Sequence, residues 1–257
     1  MNQNKIDSDL FMVDGKFCNR EEVRRIFNNG EIDFKKLSYR HTFALNAIQK
    51  LLPIDKLMDA GCYAGTFLKA LKIRVPSINA VGVDYYHDNI RIARLLYPEL
   101  KDQFKEQSIY QLEFESSTFD CVTCFEVIEH LDRPIDAIRE LNRVLRPSGY
   151  LIISTPNATS LQNLFSSIAM GYRNISKRIS KIGNQVFFNN VEWNRHIIEF
   201  LPLSLNTILI LNGFELIQHR FITEGHRRSI IERLIPGLSE VQIFIVKKTG
   251  DPPKNII

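Results

Sequence analysis

Leu57 to Leu71 constrains this chain more than any other stretch. It reads Leu57-Met-Asp-Ala-Gly-Cys-Tyr-Ala-Gly-Thr-Phe-Leu-Lys-Ala-Leu71. Leu57, Met58 and Ala60 surround Asp59, which suits a short parallel strand buried on both faces. Gly61 and Gly65 bracket a turn, and Phe67, Leu68 and Leu71 then fall at helical spacing. Glycines at a strand-to-helix turn let backbone N–H groups come close to a ligand. A Gly-x-x-x-Gly turn on its own is equally consistent with a plain tight turn.

The next strand weighs between the two. Ala80-Val-Gly-Val-Asp84 ends on a carboxylate. Asp84 lies about twenty residues past the turn, where an acid closing the second strand of such a unit accepts the ribose hydroxyls of an adenosine ligand. It also reads as a cap for the helix starting near Asp88, and the two roles are compatible. A third block, Phe119-Asp-Cys-Val-Thr-Cys-Phe-Glu-Val-Ile-Glu-His-Leu131, reads as another buried strand followed by an acidic turn. A fourth, Arg143-Val-Leu-Arg-Pro-Ser-Gly-Tyr-Leu-Ile-Ile-Ser-Thr-Pro-Asn157, closes a helix and starts the next strand.

With these four segments in this order, residues 40–157 resemble the class I S-adenosylmethionine-dependent methyltransferases. The match within them is to small-molecule O-methyltransferases of the quinone-biosynthesis and glycan-tailoring kind. The resemblance implies an α/β fold, Rossmann-like and doubly wound. Its mostly parallel seven-stranded sheet has an antiparallel edge strand and a helical insertion after the fifth strand. It implies S-adenosyl-L-methionine as cofactor and, as acceptor, an oxygen of a small molecule such as a sugar, phenol or quinol.

Carried over residue by residue, the cofactor site takes Asp59, Gly61, Cys62 and Gly65 from the glycine turn, and Asp84 with Tyr85 from the second strand end. Arg40, on the helix before the turn, is the candidate for the cofactor carboxylate; a solvated helix-end arginine is the competing reading. Ser108 stands where many relatives carry an acid for the adenine amino group, so this chain departs from the pattern there. Ile109 would pack on the adenine ring, and Phe125 would border the cofactor. Of Glu126, Glu129 and His130, the histidine is the first candidate for general base, because imidazole titrates near neutral pH. The alternative is that both acids polarise a helix start and His130 merely packs. His196, in Trp193-Asn-Arg-His196, is the candidate for the acceptor pocket.

Composition narrows the remaining choices. With 44% hydrophobic and 24% charged residues over 257 positions, the chain is long and apolar enough for one sizeable domain. A net charge of +4 with no strong basic tract argues against nucleic acid. Four cysteines, Cys18, Cys62, Cys121 and Cys124, make no disulfide framework, and the absence of a signal peptide or long apolar run points to the cytoplasm. Cys121-x-x-Cys124 looks like half of a metal site, but strand alternation sends the two thiols to opposite faces, so no metal is expected.

In chain order, one domain is expected over 1–257: a helical cap (1–52), the cofactor-binding core (53–157), a helical insertion or lid (158–200), and a C-terminal helix with edge strands (201–250). Residues 1–20 read as poorly anchored. Helices are expected at 21–29, 37–52, 66–73, 88–96 and 134–145, with strands at 56–60, 79–84, 119–125 and 150–154, and a weak strand near 105–107. Pro147-Ser-Gly149 would close the fifth of those helices. Across 161–182, apolar residues recur at helical spacing while Arg173, Lys177, Arg178 and Lys181 lie largely off the stripe. That pattern reads as a lid, an ordinary packed helix, or a helix lying on an anionic membrane. Two rival functions follow: a methyltransferase peripheral to the inner membrane face acting on a lipid-like quinol, and a cofactor-binding module without catalysis, for which Ser108 is the one supporting feature. The oligomeric state is not legible.

Overall fold

The computed structural model describes residues 10–160, 197–223 and 234–253. The periodic stretch 161–182, His196, and most of the basic stretch 223–238 lie outside the described residues.

The first described element departs from expectation. Strands β1 (Leu10–Val13) and β2 (Lys16–Asn19) pair antiparallel around Asp14-Gly15, both at positive φ (47° and 74°). Asp-Gly is the dipeptide that two-residue hairpin turns favour. The hairpin is anchored, contrary to the reading of residues 1–20 as loose. The Met12 N–H donates to Asp88 Oδ2 at 3.0 Å, Arg91 donates to the Leu10 carbonyl at 2.9 Å, and the Arg91 guanidinium sits 4.4 Å from the Phe11 ring centre. Local periodicity could not reveal this anchor, because its partners are 76 and 81 residues away.

Asn19 then caps α1 (Arg20–Ile26), in a reciprocal box with Glu22. Helix α2 (Tyr39–Leu51) starts at Ser38, whose hydroxyl accepts the His41 N–H, and buries Ala44, Leu45, Ala47 and Ile48.

The core alternates as expected: β3 (Lys56–Ala60), α3 (Thr66–Arg74), β4 (Asn79–Asp84), α4 (His87–Leu96), β5 (Phe104–Glu106), β6 (Phe119–Phe125), α5 (Pro134–Val144) and β7 (Leu145–Pro156). Then come α6 (Pro202–Leu211), β8 (Phe214–Ile222) and β9 (Val241–Lys248). Among the described residues the large sheet has seven strands in the order β5-β4-β3-β6-β7-β9-β8. The antiparallel pair at its edge is present; within it β9 is the reversed strand, antiparallel to both β7 and β8.

Strand β7 begins directly at Leu145, so Arg146-Pro-Ser-Gly149 belongs to the strand and does not form a closing turn. The strand absorbs the irregularity through Ser148, at φ 64°, and a register shift opposite Phe119 and Cys121.

Two apolar layers flank the sheet. Phe67, Leu68, Leu71, Ile90 and Ala93 pack on one face; Ala137, Ile138, Leu141, Leu205 and Leu209 pack on the other. Cys121 and Cys124 fall in opposite layers, fully buried, and burial holds both thiols up. At the far end of the sheet Asp120 accepts the Asp55 and Lys56 N–H groups and pairs with Arg146, tying β6 to the start of β3. Chain order reverses between β3 and β6, where open α/β sheets bind ligands beyond the carboxyl ends of their strands.

Candidate active site

A cleft of about 1480 Å³ opens at that reversal point. Its floor is the turn after β3. The Gly61 and Cys62 N–H groups both donate to the Val83 carbonyl, at 2.8 and 2.9 Å, and lock the turn to β4. Gly61 has φ 79°, and a Cβ there would lie 2.3 Å from a Val127 methyl. Gly65 caps α3 at φ 76°, where a Cβ would meet the Phe104 ring at 2.6 Å. It does not line the cleft; it lets α3 close onto β5 and α4.

Asp84 ends β4 and faces the cleft. Its Oδ2 accepts the Tyr63 N–H at 2.9 Å, and its Oδ1 accepts the Tyr86 N–H and the Asn89 side chain, both at 2.9 Å. Burial raises its pKa against these bonds. Tyr86 holds the N-cap position of α4 without a side-chain capping bond, and Asp84 lies two residues before it. Asp59, deeper in, accepts the Thr123 hydroxyl at 2.6 Å, and burial first, with Asp84 adding, lifts its carboxyl to about 7. Arg40, Asp59, Gly61, Cys62, Asp84, Tyr85, Ser108, Ile109, Phe125 and His130 all line the same cleft. The Ser108 hydroxyl oxygen accepts the Tyr110 N–H at 3.3 Å.

The opposite wall follows β6. Glu126 has φ 53° and accepts the Ser154 hydroxyl at 2.7 Å. A 3-10 turn, Ile128–His130, follows, in place of the helix start that the alternative reading supposed. Glu129 is buried, accepts the Thr155 hydroxyl at 3.0 Å, and is pushed up by burial and then by Glu126. The His130 side chain is 28% exposed, with Nε2 3.9 Å from Glu129 Oε1. Among the described residues no group of three His, Cys, Asp or Glu side chains is arranged to hold a metal ion.

Of the N-terminal cap expected over 1–52, the sequence reading singled out Arg40 alone. Met12, Asp14, Lys36 and His41 line the cleft. Tyr63, a non-glycine residue at φ 48°, bonds through its phenol to Asp14, and burial and that carboxylate push it to about 12. The Asp14-Gly15 turn was the one available signal for this wall. Nothing marked His41 beyond its place beside Arg40.

A family model described as a methyltransferase domain matches residues 33–219. The chain belongs to the S-adenosylmethionine-dependent methyltransferase family. A ubiquinone biosynthesis O-methyltransferase of Hahella chejuensis is 29% identical over 157 residues, covering 59% of this chain and 65% of that protein. One from Pseudomonas aeruginosa is 29% identical over 147 residues, covering 55% and 62%. The chain therefore spans just under two thirds of the length of these curated relatives. The N-methyltransferase NodS of Bradyrhizobium japonicum, solved with S-adenosyl-L-homocysteine, superposes with a TM-score of 0.53 at 14% identity, covering 82% of this chain and 86% of that one. The cyclase SpnF superposes at 0.55 with 17% identity over 80% of each chain. At such identities these methyltransferase-fold neighbours establish the fold, and SpnF shows how far activity can vary on it.

The family's cofactor is S-adenosylmethionine, and the residues of this chain fit it. Asp84 at the end of β4 presents a carboxyl to the cleft for the ribose hydroxyls, and the buried Asp59 carboxyl lines the same cleft beside the glycine turn, where the cationic end would sit.

Proposed function

We propose that this methyltransferase binds S-adenosylmethionine along β3 and β4 and passes its methyl group to an oxygen of a small hydroxylated acceptor, a phenol or quinol being the best fit. The observation that carries the reading is the Asp84 carboxylate, aimed into the cleft by the Tyr63, Tyr86 and Asn89 donors beside the glycine turn. Relatives named for ubiquinone biosynthesis support oxygen as the acceptor atom.

The cofactor, when bound, supplies an already activated methyl group. The chain's own part is placement and proton handling. Asp84 accepts the ribose hydroxyls, Arg40 faces the carboxylate, and Ile109 and Ser108 border the adenine. Phe125 and Cys62 border the sulfur end, and Gly61 lets the turn pack under Val127. His130 takes the acceptor hydroxyl proton on Nε2, 3.9 Å from the buried Glu129 carboxyl. His196 belongs to the acceptor side of this proposal on sequence grounds alone.

The test is methyl transfer from labelled S-adenosylmethionine to a panel of catechols and short-tailed quinols. Transfer is expected, and His130→Asn should slow it about a hundredfold at neutral pH while leaving S-adenosylhomocysteine affinity unchanged. Normal cofactor binding with no transfer to any acceptor would favour a binding module. A second reading rests on the basic pattern at 161–182: peripheral attachment to an anionic membrane, with a lipid-like quinol as acceptor. No helix among the described residues is long and apolar enough to cross a membrane. Flotation with anionic liposomes, lost when Arg173, Lys177, Arg178 and Lys181 are neutralised, would support attachment.

A further inference from the structure

Three rings from three separate elements meet inside the cleft. His41 comes from the first turn of α2, Phe67 from the first turn of α3, and Phe125 ends β6. Their centres lie 5.3 Å apart for His41 and Phe67, 5.2 Å for His41 and Phe125, and 4.9 Å for Phe67 and Phe125. The interplanar angles are 44°, 61° and 75°, so no pair is stacked face to face.

Their position follows from register. β3 pairs Ala60 with Cys124, which sets Phe125 beside Gly61. Phe67 lies two residues past Gly65, and His41 follows Arg40 directly. All three rings line the cleft that Asp84 and Arg40 also line. In the cofactor, the sulfonium is the group between the ribose and the carboxylate.

Packing alone would explain two of the rings, since Phe67 is 2% and Phe125 8% exposed. It does not explain the third. An imidazole is a costly choice for an apolar contact, and an aliphatic residue would fill the space without desolvating a polar ring. What an imidazole adds is a flat π surface that carries no charge when unprotonated.

We propose that His41, Phe67 and Phe125 form a neutral aromatic wall that stabilises the positive sulfonium, and so sets the preference of this site for the charged cofactor over the neutral thioether left after methyl transfer. The proposal rests on the cofactor reading above; it gives a task to His41 and Phe67, which that reading does not use, and a more specific one to Phe125. The ring quadrupole attracts a cation that loses its water. A charged His41 would oppose the sulfonium, and two features keep it neutral. Burial first, and the adjacent Arg40 second, lower its pKa to about 3. The same wall would favour product release, because the attraction ends when the charge does.

The test is calorimetric titration of S-adenosylmethionine and S-adenosylhomocysteine into wild type, His41→Gln, Phe67→Leu and Phe125→Leu. Each variant should lose roughly three- to thirtyfold in affinity for the charged ligand and less than twofold for the neutral one. Equal losses for both ligands would reduce the cluster to packing and overturn the proposal. So would a change confined to the acceptor KM, which would make the rings an acceptor surface. Should Phe125→Leu fail to fold, trifluorophenylalanine at 125 dims the π face at nearly constant size. The ratio of the two affinities should then fall with fluorination, and a flat ratio contradicts the wall. Failure of wild type to bind either ligand would instead overturn the cofactor reading, a distinguishable outcome.

Discussion

The ribose end of the cleft and its reacting end are assembled over different distances in the chain. At the ribose end, Gly61, Tyr63, Asp84, Tyr86 and Asn89 come from one β-α-β-α run of about thirty residues, and the Asp84 carboxylate is held by three donors from that run. At the reacting end, Arg40 and His41 come from α2, Phe125 to His130 from the end of β6, and Ser154 and Thr155 from β7. Its carboxyls are stacked against each other and against burial, with Glu129 pushed upward by Glu126. The first arrangement is a set of short-range constraints that any sequence window reveals. The second exists only once the sheet has closed; in both regions burial raises the carboxyls, Asp59 and Asp84 in the first and Glu129 in the second.

The largest effect should come from breaking the turn that both ends share. Gly65→Val asks for φ 76° with a branched side chain and drives Cβ to 2.6 Å from the Phe104 ring. Backbone strain and overpacking together should cost about 3–5 kcal/mol. Denaturant unfolding should show that loss, and cofactor binding should vanish with it. Gly65→Ala should fall in between, because it keeps the strain and the Cβ contact with Phe104 but adds no further methyl groups.

The next effect concerns pH. Asp59 has a folded-state pKa raised from 3.8 to about 7. A raised value means its contribution to stability is fully present below about pH 4 and is lost as pH rises through 7. Asp59→Asn keeps an acceptor for Thr123 and removes that dependence. Between pH 5 and pH 8, wild type should lose stability relative to the variant by roughly 3 kcal/mol, and melting curves across that window would show it. The complementary experiment is calorimetry in buffers of different ionisation enthalpy. A bound cation should lower the Asp59 pKa, so binding near pH 7 should release protons and tighten as pH rises from 6 to 8.

Smaller effects should separate the hairpin from the turn. Arg91→Ala removes the bond to the Leu10 carbonyl and the contact with Phe11. It should raise hydrogen exchange and proteolysis across residues 10–19 by about 1–2 kcal/mol of local opening while leaving the sheet protected. Tyr63→Phe removes only the phenol bond to Asp14. A change in cofactor affinity of less than about fivefold is expected, since the backbone N–H that holds Asp84 remains. A much larger loss would mean that the N-terminal wall, and not the glycine turn, controls the cofactor site.

This contrast also explains what was legible beforehand. The Leu57–Leu71 unit, Asp84 and the β6 run are local patterns with a physical reason for each residue, and they located both the sheet and the cleft. The choice of Ser108 and Ile109 came from the family resemblance, with the register set by Leu112, Phe114 and Phe119-Asp120. The hairpin was legible in Asp14-Gly15 and was passed over, because its anchors on α4 lie far along the chain. His41 and Phe67 looked like helix residues on an apolar face, and only the strand register brings them beside Phe125. Gly65 looked like a ligand contact because glycine serves backbone approach and close packing equally well; here its neighbours are Phe104 and Ala93. Arg146-Pro-Ser-Gly149 looked like a closing turn and proved to be the irregular start of β7, since β6 offered a partner that local propensity cannot register.

The central claim is that Asp84 holds the ribose of an S-adenosyl ligand in this cleft. The most direct measurement is a calorimetric titration of S-adenosylhomocysteine into the wild-type protein and into Asp84→Ala, with both melts recorded. The account predicts micromolar binding to wild type and at least a hundredfold loss in the variant, consistent with a buried carboxylate that accepts two hydroxyls. No binding to a folded wild type, or equal binding to both proteins, would contradict it.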